Sequence, residues 1–310
     1  MRAGLHIATE IARAVDDGRP VVALESALIT HGFAYPANLE TTFRMMEAVR
    51  AQGALPAVVG VWHGTPTLGL SDDQIGVLAA DPTAHKVSVR DLGLTGLRAG
   101  HGGTTVASTS VLAARAGIRV FATGGIGGVH RGHPEDVSAD LPTLASTPIV
   151  VVCAGAKSIL DLPRTLEYLE TAGVPVVGWR TDEFPAFYSR TSGLAVDARA
   201  ESPDDVASIV RAQRSLGLRQ AVLLTVPVPD GDGVPAVEVK PLIEQAVTEA
   251  DAQGVTGKEL TPYILARLVS LSHERTLRAN QSLLVNNAIV AGQIACALAA
   301  TAPPAPTPQR

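Results

Sequence analysis

Residues 149–162 read IVVVCAGAKSILDL, and this stretch predicts the kind of fold that the chain adopts. Its first five residues are apolar, which is typical of a strand buried on both faces of a sheet. Gly155 then indicates a turn, and the pattern beyond it predicts a helix that begins near Ser158. Lys157 lies in this turn, so its amine is expected at the carboxyl end of the strand.

Apolar runs of the same kind recur along the chain and alternate with longer segments that have helical spacing. This alternation predicts an α/β domain with a largely parallel sheet. Ligands bind beyond the carboxyl ends of the strands in such sheets. The predicted strands are Val21–Leu24, Ala57–Trp62, Lys86–Val89, Ile118–Ala122, Ile149–Ala154, Val174–Trp179 and Gln220–Thr225.

Capping residues predict where several helices begin. No Pro/Gly/Ser-rich linker interrupts the chain, so residues 1–300 are predicted to form a single domain. The Pro-rich tail 301–310 cannot build a core and is predicted to be disordered. The predicted helix starts are Asn38, with a helix ending at Gly53, Ser71 with Gln74, Ser202 and the Thr261–Pro262 pair.

The composition favours a protein that binds a small anion. The 310 residues are 46% hydrophobic and 4% aromatic, and the formal net charge is −5. Nucleic-acid binding usually needs a basic face, and no Lys/Arg cluster provides one. The sequence has no signal-peptide pattern and no uninterrupted apolar stretch that would span a bilayer. The protein is therefore predicted to be cytoplasmic, with neither nucleic acid nor membrane as a partner.

Lys157 is one of four lysines in a chain that carries most of its positive charge as arginine. Beside Cys153 and Ala156 its amine would be poorly solvated, which disfavours the charged form. A neutral amine can attack a carbonyl carbon and form a Schiff base. The alternative is a solvated lysine in the first turn of a helix.

Glu25 directly follows the predicted strand Val21–Leu24 and is also expected at a strand end. Burial there would raise the pKa of its carboxyl and make it a usable proton donor. The alternatives are a helix N-cap and an ion pair with an arginine.

Two glycine-rich segments could approach a ligand. Thr104 and Thr105 follow Gly102–Gly103 and precede a predicted helix that ends near Gly117. Glycines, hydroxyls and a helix N-terminus together can bind an anion, although ordinary turn and cap chemistry gives the same pattern. Residues 123–132 lack the G-x-G-x-x-G spacing and the acidic partner of a dinucleotide site.

One loop concentrates histidines and carboxylates at short spacing, a pattern that can bind a metal but that also suits a mobile polar loop. Its members are His130, His133, Glu135 and Asp136. Ser138 and Asp140 follow closely and could face the same ligand.

Taken in order, these segments resemble those of the pseudouridine-5'-phosphate glycosidases, from about Val21 to Ala299. The glycine-rich HRG segment and the lysine segment are the most specific. The matching segments are ALES, THG, KVSVRD, GTTVAST, FATGGIGGVHRG, VSADL, VVCAGAKSILD, LETAGVP, GVTGKELTP and the late NNA.

The resemblance implies an α/β/α sandwich, a homotrimer and one divalent manganese ion per subunit. It implies that Lys157 is the nucleophile, that Glu25 is the proton donor and that Asp136 binds the metal. The positions that match substrate contacts are Lys86, Val106, Ser138, Ala139, Asp140 and Asn280.

The base of pseudouridine is attached through carbon, so the leaving atom has no lone pair to protonate, unlike the oxygen in ordinary glycoside hydrolysis. The family opens the ribose and forms an imine between its lysine and C1, while an acid protonates C5 of uracil. Lys157 and Glu25 would fill these roles, and Asp140 would assist ring opening. The Thr104–Val106 turn, Lys86 and His130 would hold the phosphate.

Three positions depart from the family pattern: Ala27, Val89 and Val226 stand where members carry Thr, a basic residue and Asn. The lysine and the glutamate are kept, so the mechanism is predicted to be unchanged, whereas apolar replacements would suit a more apolar aglycone. The first hypothesis is therefore a pseudouridine-5'-phosphate glycosidase. The alternatives are a C-ribosylating synthase that joins ribose 5-phosphate to an aromatic natural-product precursor, a catalytically silent sugar-phosphate sensor, and a lysine-dependent aldolase that acts on an unrelated sugar.

Overall fold

The computed structural model describes residues 4–98, 100–255, 257 and 260–300. Within these ranges, eleven strands form one sheet and three short strands form a second. The strands are β1 His6–Ile7, β2 Val21–Leu24, β3 Leu55–Trp62, β4 Thr65–Leu68, β5 His85–Val87, β6 Gly102–Thr104, β7 Val120–Ala122, β8 Val129–His130, β9 His133–Val137, β10 Val150–Cys153, β11 Leu160–Asp161, β12 Val176–Trp179, β13 Ala198–Ala200 and β14 Val222–Thr225.

The central part of the large sheet is parallel, in the order β3-β2-β7-β10-β14-β12-β13. Strands β4 and β6 pair antiparallel to β3. Ala122 lies beside Leu24 on one side and beside Val152 on the other, so β2, β7 and β10 end almost level. The residues that follow these three strands therefore meet at one edge of the sheet.

Helices flank the sheet, which confirms the predicted α/β class with a largely parallel sheet. The helices are α1 Thr9–Asp16, α2 Ala27–His31, α3 Ala37–Ala51, α4 Asp72–Ala80, α5 Val89–Leu92, α6 Val106–Ala116, α7 Asp140–Leu144, α8 Leu162–Thr171, α9 Pro203–Ser215, α10 Ala236–Ala252, α11 Leu260–Leu271 and α12 Arg275–Ala300. Helices α3 and α9 both pack on α12, and α12 also contacts β2, β7 and β10. Helix α6 packs on β2, β3, β7 and α7.

Helix α12 is the principal core helix. In the described part of the chain it alone is long and apolar enough to cross a membrane by length and composition, yet 56% of its apolar window is buried inside the protein. Gly292 allows close approach to α3, because a Cβ there would lie 2.8 Å from the Gln52 side chain. Packing against α3 and the sheet accounts for the apolar character of this helix.

Several local predictions need correction. The prediction of a helix that begins near Ser158 is wrong. Residues 154–159 form a loop, and α8 begins only at Leu162, with Asp161 as its N-cap. The strand predicted over Lys86–Val89 ends at Val87, because Ser88 and Asp91 form a capping box that starts α5 at Val89.

Asn38 is not a cap, because its amide donates instead to the carbonyls of Ile29 and Ala79. The capping box of Ser71 with Gln74 and the cap at Ser202 are confirmed. Thr261 and Pro262 lie in the first turn of α11, and the tail 301–310 lies outside the described residues.

Candidate active site

A pocket of about 440 Å³ opens at the carboxyl edge of the central strands. This is where a parallel α/β sheet places its ligands. Eleven of the twelve residues predicted to form the site line it: Glu25, Lys86, Thr105, Val106, His130, Asp136, Ser138, Ala139, Asp140, Lys157 and Asn280.

Glu25 follows β2 and is partly buried in the pocket wall. Thr123, which follows the neighbouring β7, donates a hydrogen bond from its hydroxyl to the Glu25 carboxylate. Burial raises the pKa of Glu25, and it outweighs the nearby charge of Lys157 and the Thr123 hydrogen bond, which both lower that pKa. The carboxyl therefore keeps its proton at a higher pH than an exposed glutamate does, as a proton donor requires.

The structure supports neither alternative role for Glu25, the helix N-cap or the ion pair with an arginine. Ser26, the next residue, occupies the N-cap position of α2, and no arginine in the described part of the chain forms an ion pair with Glu25.

Lys157 lies in the loop after β10, and its backbone N–H donates to the carbonyl of Ile126 at 3.0 Å. Its neighbours Ala156 and Ile159 are buried, whereas Lys157 itself lines the pocket. Gly155 permits the turn: its φ is +84°, and a Cβ there would lie 2.3 Å from the carbonyl oxygen of Pro185. The loop is thus tightly packed and places the amine in the pocket.

Asp140 is buried, and both of its carboxylate oxygens accept backbone hydrogen bonds. Oδ1 accepts from Ala107 at 2.9 Å and Oδ2 from Gly127 at 2.7 Å. The side chain therefore ties the first turn of α6 to the glycine-rich loop. Its negative charge also acts on Glu25, in the direction that raises the pKa of that group.

One end of the pocket is cationic. Lys86, Arg90 and the first turn of α6, with Thr105 as its N-cap, converge there. Val89 does not line the pocket, but the adjacent Arg90 does, so a basic side chain is available although the usual position lacks one. The first turn of a helix adds partial positive charge and N–H donors.

Thr104 is the predicted site residue that does not reach the pocket. It is fully buried, with its hydroxyl donating to the carbonyl of Val59 at 2.7 Å and its N–H donating to the hydroxyl of Ser26 at 3.0 Å. Ser26 also donates to Val59 at 2.6 Å. These bonds brace the chain directly behind Glu25, so the contribution of Thr104 is structural.

The end of the pocket beside Gly124 and Gly125 is mostly apolar, with one amide. Asn280 lines the pocket although it is only 7% exposed. An amide in a pocket wall can donate to or accept from a polar group of a ligand. Phe187 and Leu284 lie at this end, and Ala27 and Leu265 also line the pocket.

Val226 does not contribute to this end, contrary to the expectation that its apolar side chain affects the choice of aglycone. It is buried away from the pocket, and its N–H donates to the carbonyl of Cys153 at 2.7 Å. Of the three departures from the family pattern, only Ala27 lines the pocket.

Sequence reasoning missed Thr123, Arg90 and Phe187. Thr123 could have been found from its place directly after a buried strand, as Glu25 was. Arg90 could have been found from its place beside Val89. Nothing in the sequence pattern marks Phe187.

The residues present fit one mode of metal binding. Asp136 lines the pocket with its side chain 52% exposed, and His130 Nε2 lies 4.0 Å from its carboxylate. Burial lowers the pKa of His130 and favours its neutral form. No group of three or more metal-binding side chains occurs among the described residues. The donor set suits a hard divalent ion held by one carboxylate, with water and substrate as the other ligands.

The fold and the pocket define an α/β enzyme in which a lysine and a readily protonated carboxyl share a site for an anionic ligand.

Residues 10–297 match the family described as indigoidine synthase A like protein. The chain is 51% identical to the pseudouridine-5'-phosphate glycosidase of Methylobacterium nodulans, over 95% of this chain and 88% of the relative. It is 49% identical to the enzyme of that name from Symbiobacterium thermophilum, over 96% and 98%.

Two solved structures share the fold. The prealnumycin C-glycosynthase AlnA, in complex with ribulose 5-phosphate, superposes with a TM-score of 0.88 at 41% identity, over 96% of this chain and 98% of AlnA. An indigoidine synthase A-like protein from Thermotoga maritima has the same TM-score at 36% identity, with the same coverage. The chain belongs to the pseudouridine-5'-phosphate glycosidase family, and the resemblance noted in the sequence is confirmed.

Proposed function

We propose that this protein is a C-glycosidase that reversibly cleaves pseudouridine 5'-phosphate to uracil and ribose 5-phosphate. The observation that carries this proposal is that Lys157 and Glu25 share one pocket, where burial raises the pKa of the Glu25 carboxyl. Cleavage of a carbon-linked base needs a nucleophile for C1 of the sugar and an acid for the base carbon, and the two side chains match these needs.

In the proposed reaction the Lys157 amine bonds to C1 of the sugar as the ring bond between C1 and its oxygen breaks. The proton that the amine loses passes to that oxygen with the help of Asp140, which leaves the ribose open. The lone pair on the lysine nitrogen forms the C=N bond as the bond from C1 to C5 of uracil breaks, and C5 takes the proton of Glu25. Water then hydrolyses the imine, which releases ribose 5-phosphate and the free amine. The reverse sequence joins the base to the sugar.

The phosphate is assigned to the cationic end of the pocket. Lys86, Arg90 and the first turn of α6 supply charge and N–H donors there. A manganese ion held by Asp136 would add positive charge in the same pocket. Manganese and a homotrimer are proposed from the family resemblance, and a cytoplasmic location is proposed from the sequence pattern.

A second candidate is a C-ribosylating synthase that uses the same lysine and acid. The apolar side chains in the pocket wall, which include Ala27, Leu265 and Leu284, favour an aromatic aglycone with fewer polar groups than uracil. The similarity to a C-glycosynthase is in keeping with this candidate.

Incubation of the purified protein with uracil, ribose 5-phosphate and manganese tests the first function. We expect reversible loss of the uracil absorbance. Folded, metal-loaded protein that shows no turnover with uracil or pseudouridine 5'-phosphate would reject it in favour of the synthase. A borohydride-stable ribose 5-phosphate adduct on Lys157 would exclude a silent sensor.

A further inference from the structure

Phe187 has an unusual backbone for an aromatic residue. Its φ is +61°, in the left-handed region that bulky side chains rarely occupy. Its N–H donates to the carbonyl of Ala154 at 3.1 Å, and a hydrogen bond from Ala186 to Ser189 at 2.9 Å closes the turn around it. Strained backbone of this kind persists where surrounding contacts hold it, often at functional sites.

The Phe187 ring fills the space beside the glycine-rich loop. A Cβ on Gly125 would lie 2.7 Å from the ring, so the ring rests directly on the Gly125 backbone. Phe187 is only 2% exposed, yet it lines the pocket. The ring thus packs directly against the glycine-rich loop and presents little surface to a ligand.

The same segment also contacts the lysine loop. The carbonyl of Pro185 lies against Gly155, two residues before Lys157, and the Phe187 N–H binds Ala154 in that loop. The other loop, through Gly125, begins at Thr123, whose hydroxyl binds Glu25. The turn around Phe187 therefore contacts two loops. One loop carries Lys157, the proposed nucleophile, and the other carries Thr123, which hydrogen-bonds to the proposed acid Glu25.

We propose that Phe187 is a positioning residue that holds Thr123 against Glu25 while its turn anchors the Lys157 loop. Its kinetic consequences rest on the proposed function, whereas its effect on the Glu25 carboxyl does not. The backbone of Thr123 is also held by Val152 and by the Asn287 side chain, so removal of the ring is expected to loosen the loop at Gly125 and to let the Thr123 hydroxyl turn away from Glu25. Because the Thr123 hydrogen bond lowers the pKa of Glu25, losing that bond raises the pKa further.

The test uses Phe187→Ala and Phe187→Leu in the full-length protein. Infrared titration follows the Glu25 carboxyl, whose band is identified by its absence in Glu25→Gln. We expect the pKa of Glu25 to rise in both variants, and more in Phe187→Ala. A Glu25 titration that coincides with wild type in Phe187→Leu would overturn the proposal. Phe187→Leu keeps most of the side-chain volume and decides the question if the alanine variant does not fold.

Phe184→Leu is the matched control. Phe184 belongs to the same segment and is fully buried, with its ring 3.2 Å from the Cβ position of Gly155, but it does not line the pocket. We expect Phe184→Leu to lower stability and leave the Glu25 titration unchanged. An equal shift in this variant would mean that any loss of core packing moves Glu25, which contradicts a specific role for Phe187.

A double-mutant cycle with Thr123→Val tests whether Phe187 acts through Thr123. We expect Phe187→Ala to reduce kcat by about 10- to 100-fold, with a smaller change in KM. In the double variant Phe187→Ala/Thr123→Val, the reduction in kcat should be much smaller than the product of the two single reductions. Independent, multiplicative effects would refute the coupling. If wild type turns over neither substrate, the proposed function fails, and the infrared titration still decides the role of Phe187.

Discussion

Lys157 is the residue on which the proposed chemistry depends. It lies in a loop with its amine in the pocket, so removing the amine should disturb the fold little. We expect Lys157→Ala to abolish turnover and borohydride trapping of ribose 5-phosphate, as measured by the uracil assay and by mass spectrometry. Lys240→Ala, at an exposed position in α10, is the control and should retain both. Turnover near wild type in Lys157→Ala would disprove the assigned role.

Glu25 makes the stability of the protein depend on pH. The unfolded chain releases the Glu25 proton around pH 4.5, the ordinary pKa of a glutamate, whereas the folded protein keeps this proton at higher pH. The folded state therefore binds more protons in this interval, and the free energy of unfolding falls as pH rises from 4.5 through the folded pKa.

Glu25→Gln removes this dependence, so the variant should gain stability relative to wild type as pH rises through that interval. Denaturant unfolding at a series of pH values measures the difference. A constant difference between the two proteins at all pH values would show that the carboxyl is not perturbed in this way.

At the level of elements, the glycine-rich loop and the start of α7 pack too closely for a side chain between them. A Cβ on Gly127 would lie 2.1 Å from the Ser138 hydroxyl and 2.9 Å from Oδ2 of Asp140. We expect Gly127→Ala to displace Asp140, to lower stability by about 1–3 kcal/mol and to reduce kcat at least tenfold. Unfolding and kinetic measurements check both effects.

Gly76→Ala is the control for that substitution. Gly76 lies inside α4 with no atom within 4 Å of its Cβ position, so alanine should stabilise the helix by about 0.5–1 kcal/mol. If kcat were unchanged in Gly127→Ala as well as in Gly76→Ala, the contact between the glycine-rich loop and α7 would not matter for the reaction.

At the scale of the whole molecule, the two ends of the pocket differ in chemistry. Lys86 and Arg90 line one part of the pocket with the first turn of α6, whereas Leu284 and Phe187 lie beside Gly124 and Gly125 in another part. This division matches a ligand with a phosphate at one end and a ring at the other, and it locates aglycone choice at the apolar end.

Ala27→Thr and Val226→Asn restore the residues usual in the family and should behave differently. Ala27→Thr changes the pocket wall, so it should shift the ratio of kcat/KM between uracil and a less polar aromatic aglycone. Val226→Asn puts an amide in a site that is 2% exposed, which should cost about 1–3 kcal/mol of stability without changing that ratio. The opposite pattern would mean that Val226 acts on the ligand.

Much of the fold and part of the site follow from the sequence alone. Apolar runs predict β2, β7, β10 and β14, because strands buried on both faces need apolar side chains at every position. Glu25 and Lys157 follow two of these runs directly, so their place at the carboxyl edge of the sheet is a local property. Ser71 and Ser202 are equally local, because a cap bonds within its own first turn.

Only the tertiary structure decided which side chains reach the pocket. Thr104 and Thr105 are adjacent, yet Thr104 hydrogen-bonds to Val59 in the core and Thr105 lines the pocket. Val226 directly follows a strand, as Glu25 does, yet Val226 is buried outside the pocket. Phe187 gains its place from contacts with Gly125 and Ala154, which are distant in sequence. The physical reason is that strand ends are set by local hydrophobic pattern, whereas side-chain direction and loop-to-loop contact depend on register and packing between separate segments.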